Sequence, residues 1–235
     1  MATSNSALSD RRSFLTRFSA GAAAFAATLA AGAATARGQT PAAGPWQPAR
    51  HEKDDWLDQL PGRHRIVFDS IASDAFADAL LFANNFIRTN RTDYNLQQGD
   101  LAVLIIARHR STSLAFNDHM WEKYGTILSA RASFTDPKSK QPPTSNLFNS
   151  AESSRLLPSR GNTLDSLLKL GVQFAVCSNA ARAVAGGVAE ATGQKTEDVF
   201  SEFAANLISP TQARMVPAGI VTVARAQERG YSLVT

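Results

Sequence analysis

Seven consecutive apolar residues, Leu101-Ala102-Val103-Leu104-Ile105-Ile106-Ala107, constrain this chain more than any other stretch. Successive side chains of a strand point to opposite faces, so an unbroken apolar run needs cover on both. Strands of that kind belong to parallel sheets sandwiched between helices. Gly99-Asp100 supplies the turn ahead of the run, and Arg108-His109-Arg110 ends it.

The remainder of the chain supplies the other layers. HRIVFDS (64–70) is a compact apolar run between Pro61-Gly62 and a Ser/Asp cluster, and reads as a buried strand. Ser73 or Asp74 can cap a helix in which Phe76, Leu80, Ala83 and Ile87 recur at helical spacing. STSLAFNDHMWEKYG reads as a helix opened by capping hydroxyls and ended by Gly125. Thr163 caps a helix ended by Gly171, strand VQFAVC follows, and then come a helix from Ser178 and another capped by Thr196. ARMVP is a short strand, AGIVTVARAQERG a helix ended by Gly230, and YSLVT a last strand. Strands alternating with helices predict a three-layer α/β/α domain with a mostly parallel five-stranded sheet and flavodoxin-like layering. Between Ser133 and Asn162 the periodicity dissolves into an irregular insertion whose Phe134, Leu147, Phe148, Leu156 and Leu157 are expected to pack down.

The N-terminus speaks to compartment. Arg11-Arg12 precede an Ala-rich apolar stretch from Phe18 to Ala36, and Ala34-Thr35-Ala36 resembles a small-residue cleavage site. This is the layout of a twin-arginine export signal over residues 1–36, which predicts a periplasmic protein. The stretch is long enough to span a bilayer, yet it is mostly Ala and Gly. Cleavage is therefore favoured over an uncleaved anchor, and no stable membrane span is expected afterwards. Residues 37–62 read as a Pro/Gly-rich linker followed by a short helix, and 63–235 as the folded domain. Removing three arginines and one aspartate with the signal lowers the net charge from +4 to +2, too little and too scattered to imply nucleic acid.

Cys177 is the only cysteine, so no intramolecular disulfide can form. Ligands of open α/β sheets bind outside the carboxyl ends of the strands. Those ends gather Asp69-Ser70, Arg108-His109-Arg110, Cys177-Ser178-Asn179 and Pro217-Ala218-Gly219 on one rim. Cys177 immediately precedes a helix, whose unpaired N–H groups and dipole favour an anion there. Two readings stay open: a reactive thiolate beside cations, or a small buried side chain that only packs. Arg108, His109 and Arg110 orient an anion on the first reading and are solvated charges on the second. Asp118-His119 reads as a water-facing helix turn, and Trp121 and Tyr124 as cover for the core or a subunit contact.

Other chemistries lack their residues. The histidines show no metal-ligand spacing, so no metal is expected. FDSIASDAF stands where a glycine-rich phosphate loop would follow the first strand, and no G-x-S-x-G elbow occurs, so no cofactor is expected.

GVQFAVCSNAARAV, MVPAGIVTVARAQERGYSLVT, HRIVFDS and FNDHMWEKYG together resemble the DsrE/DsrF-like (YchN-like) proteins of sulfur metabolism, over roughly residues 63–235. The resemblance implies a parallel α/β/α fold, homo-oligomers such as trimers or hexamers, and a strand-end cysteine that carries sulfur. Only Cys177 maps onto a sulfur-carrying position. The export signal and the insertion depart from the cytoplasmic relay members. The expected function is a periplasmic persulfide carrier or sulfurtransferase-like relay on Cys177. Ser178 and Asn179 would lie beside the thiolate, Arg108, His109 or Arg110 would orient an anionic donor, and the insertion would lie over the site as a lid or subunit arm. A sulfur donor or acceptor protein is the expected partner. The alternative is a non-catalytic anion-binding or assembly module.

Overall fold

In a computed structural model the described residues are 47–235; the signal and most of the linker lie outside them. Five strands, β1 (His64–Ser70), β2 (Leu101–Ala107), β3 (Gln173–Cys177), β4 (Ala213–Val216) and β5 (Ser232–Val234), form one sheet in the order β4-β3-β2-β1-β5. Every neighbouring pair is parallel. The sheet is flanked by helices on both faces, a three-layer α/β/α arrangement.

The strand order explains how the layers fill. From β1 to β4 each crossover steps one strand in the same direction, so crossovers of one hand put their helices on one face. The last crossover steps back past three strands to the far edge, and its helix therefore takes the other face. A short helix α1 (Trp56–Gln59) precedes the sheet. α2 (Ser73–Asp93), α3 (Asp118–Ala132), α4 (Ala151–Ser154), α5 (Leu164–Lys169), α6 (Ser178–Thr192) and α7 (Thr196–Ala205) follow, with α8 (Gly219–Gln227) as the return crossover. Side chains of α2, α3, α5, α6 and α7 share the larger core with Leu101, Val103, Ile105 and Ala107 of β2. The alternate residues of β2, Ala102, Leu104 and Ile106, meet α1 and α8 in a smaller core. The apolar run is thus buried on both faces, as its pattern demands.

The smaller face is closed by an N-terminal strap. Trp56 and Leu57 are buried in it, and the Arg214 guanidinium of β4 stacks 4.5 Å from the Trp56 ring centroid. α1 has too few turns to satisfy its own terminal carbonyls. Arg65 of β1 caps them, donating to the carbonyls of Leu57 (2.9 Å), Leu60 (3.1 Å) and Gly62 (3.1 Å). The Tyr231 hydroxyl also donates to Leu57 O at 2.9 Å, and Arg229, its side chain fully buried, donates to Asp58 at 2.9 Å.

Several element boundaries differ from the sequence reading. Ser111–Ser113 do not cap the helix that follows β2; they are buried in a 3-10 segment, His109–Ala115, and the cap of α3 is Asn117, which accepts from Met120 N. Gly125 does not end α3, which continues to Ala132. A Cβ at Gly125 would overlap the Pro143 carbonyl, so this glycine admits the insertion's backbone instead. Ser73 and Thr196 are the first residues of their helices, after Ala72 and Lys195, rather than caps. Thr163 does cap α5, accepting from Ser166 N at 3.1 Å.

The insertion is part of the larger core. Phe134, Leu147, Phe148 and Leu157 are buried in it, while Leu156 stays exposed. Phe148 meets Phe76 edge-on at 5.3 Å, and the buried Asn146 amide donates to the carbonyls of Leu114 and Phe116, both at 2.8 Å. Ala175 and Val216, the neighbours of Cys177 on its face, belong to the smaller core. The insertion therefore is not a lid over that residue; packing this apolar surface against α2 and α3 removes it from water instead. Trp121 and Tyr124 of α3 also lie in the larger core.

Candidate functional site

Side-chain alternation decides what meets at the carboxyl rim. Counting outward from Val67, Ile106 and Ala175 of the smaller core puts Asp69, Arg108 and Cys177 on that same face. Ala107 pairs with Val176, so Arg108, the next residue of the chain, comes level with Cys177. Cys177 pairs with Val216 on its other side, and is buried at 7% exposure. It is the N-cap residue of α6 and makes no capping bond with its side chain. α8 begins at Gly219 on the same rim, also without a side-chain cap. Two helix N-termini therefore open near the thiol with N–H groups that no side chain satisfies.

Arg108 is held rather than free. Its Nε and Nη2 donate to the two oxygens of Asp69, each at 2.7 Å, in a forked pair that Lys could not reproduce. The Asp69 side chain is only 6% exposed and that of Arg108 26%. The guanidinium pKa is raised, first by the hydrogen bonds to Asp69, then by the charges of Asp69 and Cys177, against the opposing effect of burial. Gly219 makes room for it: a Cβ there would stand 2.7 Å from Arg108 Cβ and 3.2 Å from Ile106 Cγ2. Behind the rim, Ser70 Oγ donates to Ile106 O at 2.8 Å, and Ser111 Oγ accepts from Arg108 N at 3.0 Å. These two fully buried hydroxyls satisfy the backbone where the β1–β2 ladder stops.

The expected site residues divide into two groups. Cys177, the half-buried Ser178 and Arg108 come together. Asn179 is exposed on the first turn of α6, with no side-chain hydrogen bond among the described residues. His109 is exposed at φ 56°, and its Nδ1 lies 3.3 Å from Ile71 O, on the β1 side of the rim and away from β3. Arg110 is exposed, its backbone N–H donating to Ile71 O at 3.1 Å. The left-handed turn at His109 swings both residues toward β1, which a strand-end reading could not foresee. Asp69 and Gly219 were legible only as strand ends. The signal for Asp69 was an acid at the last inward position of an apolar strand, where burial demands a partner.

The rim can stabilise one small negative charge with a fixed guanidinium and two helix ends. No group of three His, Cys, Asp or Glu side chains fit to hold a metal ion occurs among the described residues. No helix among them is long and apolar enough to cross a membrane. In comparisons with known proteins, no family model, no curated protein and no solved structure matches the chain.

Proposed function

We propose that the protein is a periplasmic DsrE-like sulfur carrier that holds a persulfide on Cys177. The observation that carries this reading is the placement of Cys177 at a strand-to-helix junction, level with the Asp69-held Arg108. The Cys177 thiolate attacks the outer sulfur of a donor persulfide, forming an S–S bond while the donor's own S–S bond breaks and leaves as a thiolate. An acceptor thiolate then attacks the outer sulfur on Cys177, takes it, and releases the Cys177 thiolate. The two exchanges involve no net oxidation. Arg108 counters the negative charge at the rim, and Ser178 presents its backbone N–H to it.

Export by the twin-arginine route, with a donor or acceptor protein in the periplasm, belongs to the same proposal and rests on residues 1–36. A homo-oligomer, trimer or hexamer, is supported by Ile71, Ile220 and Val221, which are 45–57% exposed at the end of β1 and the start of α8. The burial of Cys177 favours the second reading, an anion-binding or assembly module in which the thiol packs.

Incubating the purified protein with a small-molecule persulfide donor and weighing it intact separates the two. A gain of one sulfur atom, reversed by an acceptor thiol and absent from Cys177→Ser, is expected. A wild-type protein that gains none leaves the packing reading in place.

A further inference from the structure

A second cleft lies at the opposite end of the sheet from Cys177, where β2 and β3 begin. Its volume is about 400 Å³, and it runs along the last turns of α2. Ile87, Leu96 and Leu170 give it an apolar floor, and Arg88 and Arg91 stand at its side. A smaller cavity of about 180 Å³, walled in part by the same Ile87 and Leu170, adjoins it beside Leu60, Leu101 and Val103. The larger cleft alone lies within the size range of small-molecule sites.

The electrostatics are one-sided. Arg88 and Arg91 are three residues apart on α2 and so share a face. Both are exposed, and neither forms an ion pair among the described residues. No acidic side chain lines either cavity. The nearest acids in sequence stand just outside the lining and pair with neither arginine: Asp93 accepts from the hydroxyl of the lining Thr92 at 2.7 Å, and Asp100 from the backbone N–H of the lining Gln97 at 2.7 Å. Two guanidinium groups without an ion pair, beside an apolar floor of Ile87, Leu96 and Leu170 that is edged by Asn84, Thr92 and Gln97, complement an anion that has an apolar body. A bare inorganic anion would leave the apolar floor in water, and a cation would face the two guanidinium groups of the lining.

We propose that this cleft binds a small amphipathic carboxylate. Its head group sits between Arg88 and Arg91, and its apolar chain lies over Ile87, Leu96 and Leu170. The site shares no residue with the Cys177 rim, so it stands or falls independently of sulfur transfer.

Calorimetric titration tests this on the purified protein with octanoate, acetate and octylamine as probes. Octanoate should bind saturably, one per chain, and acetate at least about tenfold more weakly, because the apolar chain supplies much of the affinity. Octylamine should not bind. The exposed double substitution Arg88→Gln/Arg91→Gln should weaken octanoate by about tenfold or more through loss of the charge-assisted hydrogen bonds. Cys177→Ser should leave it unchanged. No saturable octanoate binding to the wild type, equal binding of octylamine, or unaltered affinity in the double variant would each overturn the proposal.

Discussion

Asp69→Asn removes the carboxylate that holds the Arg108 fork at 2.7 Å and leaves a partly buried cation without its counter-charge. The cost should be about 1–3 kcal/mol, read from urea unfolding, since the amide can return only one weaker hydrogen bond. The Arg108 charge beside Cys177 would also lose its balancing carboxylate, a loss that favours the thiolate, so alkylation of the thiol at constant pH should quicken. An Asp69→Asn protein with unchanged alkylation would separate Arg108 from the chemistry of the thiol. Tyr231 provides a pH test at the same scale. Its pKa is pushed up to about 12, chiefly by burial, with Asp58 adding and the charges of Arg65 and Arg229 opposing. The unfolded chain loses this proton near pH 10 while the native state keeps it, so the contribution is complete below about pH 10. It should disappear as pH rises toward 12, with about 2–3 kcal/mol of stability lost across that window. Tyr231→Phe should flatten that part of the stability–pH curve, measured by denaturant midpoints.

Among elements, the insertion and α3 make the sharpest case. Alanine is the better helix former by roughly 1 kcal/mol, so helix propensity alone predicts that Gly125→Ala stabilises α3. The Pro143 carbonyl occupies the space that the methyl would need, and it belongs to backbone, which cannot rotate away as a side chain could. Overpacking should therefore prevail, and the expected net effect is destabilisation of about 1–3 kcal/mol, visible as a lower melting temperature. A rise in melting temperature would show that the insertion can lift off α3. The same contact explains why a glycine in FNDHMWEKYG reads as a terminator in sequence: helix ends and close backbone approaches both call for a missing Cβ. Local chemistry distinguished them poorly, whereas it placed the Thr163 cap correctly because Thr163 and Ser166 satisfy each other within one turn.

At the scale of the whole molecule, the sheet divides the chain into unequal halves. Among the described residues five helices share the larger core, and only α1 and α8 contribute to the smaller. The smaller face also carries, at the start of α8, the exposed Ile220 and Val221. If the proposed oligomer uses this face, Ile220→Asp should shift the protein to a smaller species in sedimentation without unfolding it. A wild-type protein that sediments as a monomer would remove the oligomer from the proposal. The parallel α/β/α architecture was legible because periodicity and a doubly buried strand are local patterns with few three-dimensional solutions. Cys177 at the strand-to-helix junction was legible for the same reason. Its neighbours were not. That Arg108 meets it while His109 and Arg110 turn away depends on strand register and on one left-handed residue. That Asp69 and Gly219 shape the guanidinium's seat depends on contacts across β1, β2 and α8. Such pairings join residues dozens of positions apart, and no local pattern encodes which of several rim charges will face one another. The sequence by itself determined the layers, the strand that anchors them and the position of the thiol; only the tertiary structure decided which charge that thiol meets, because side-chain alternation acts within a strand while register is settled between strands.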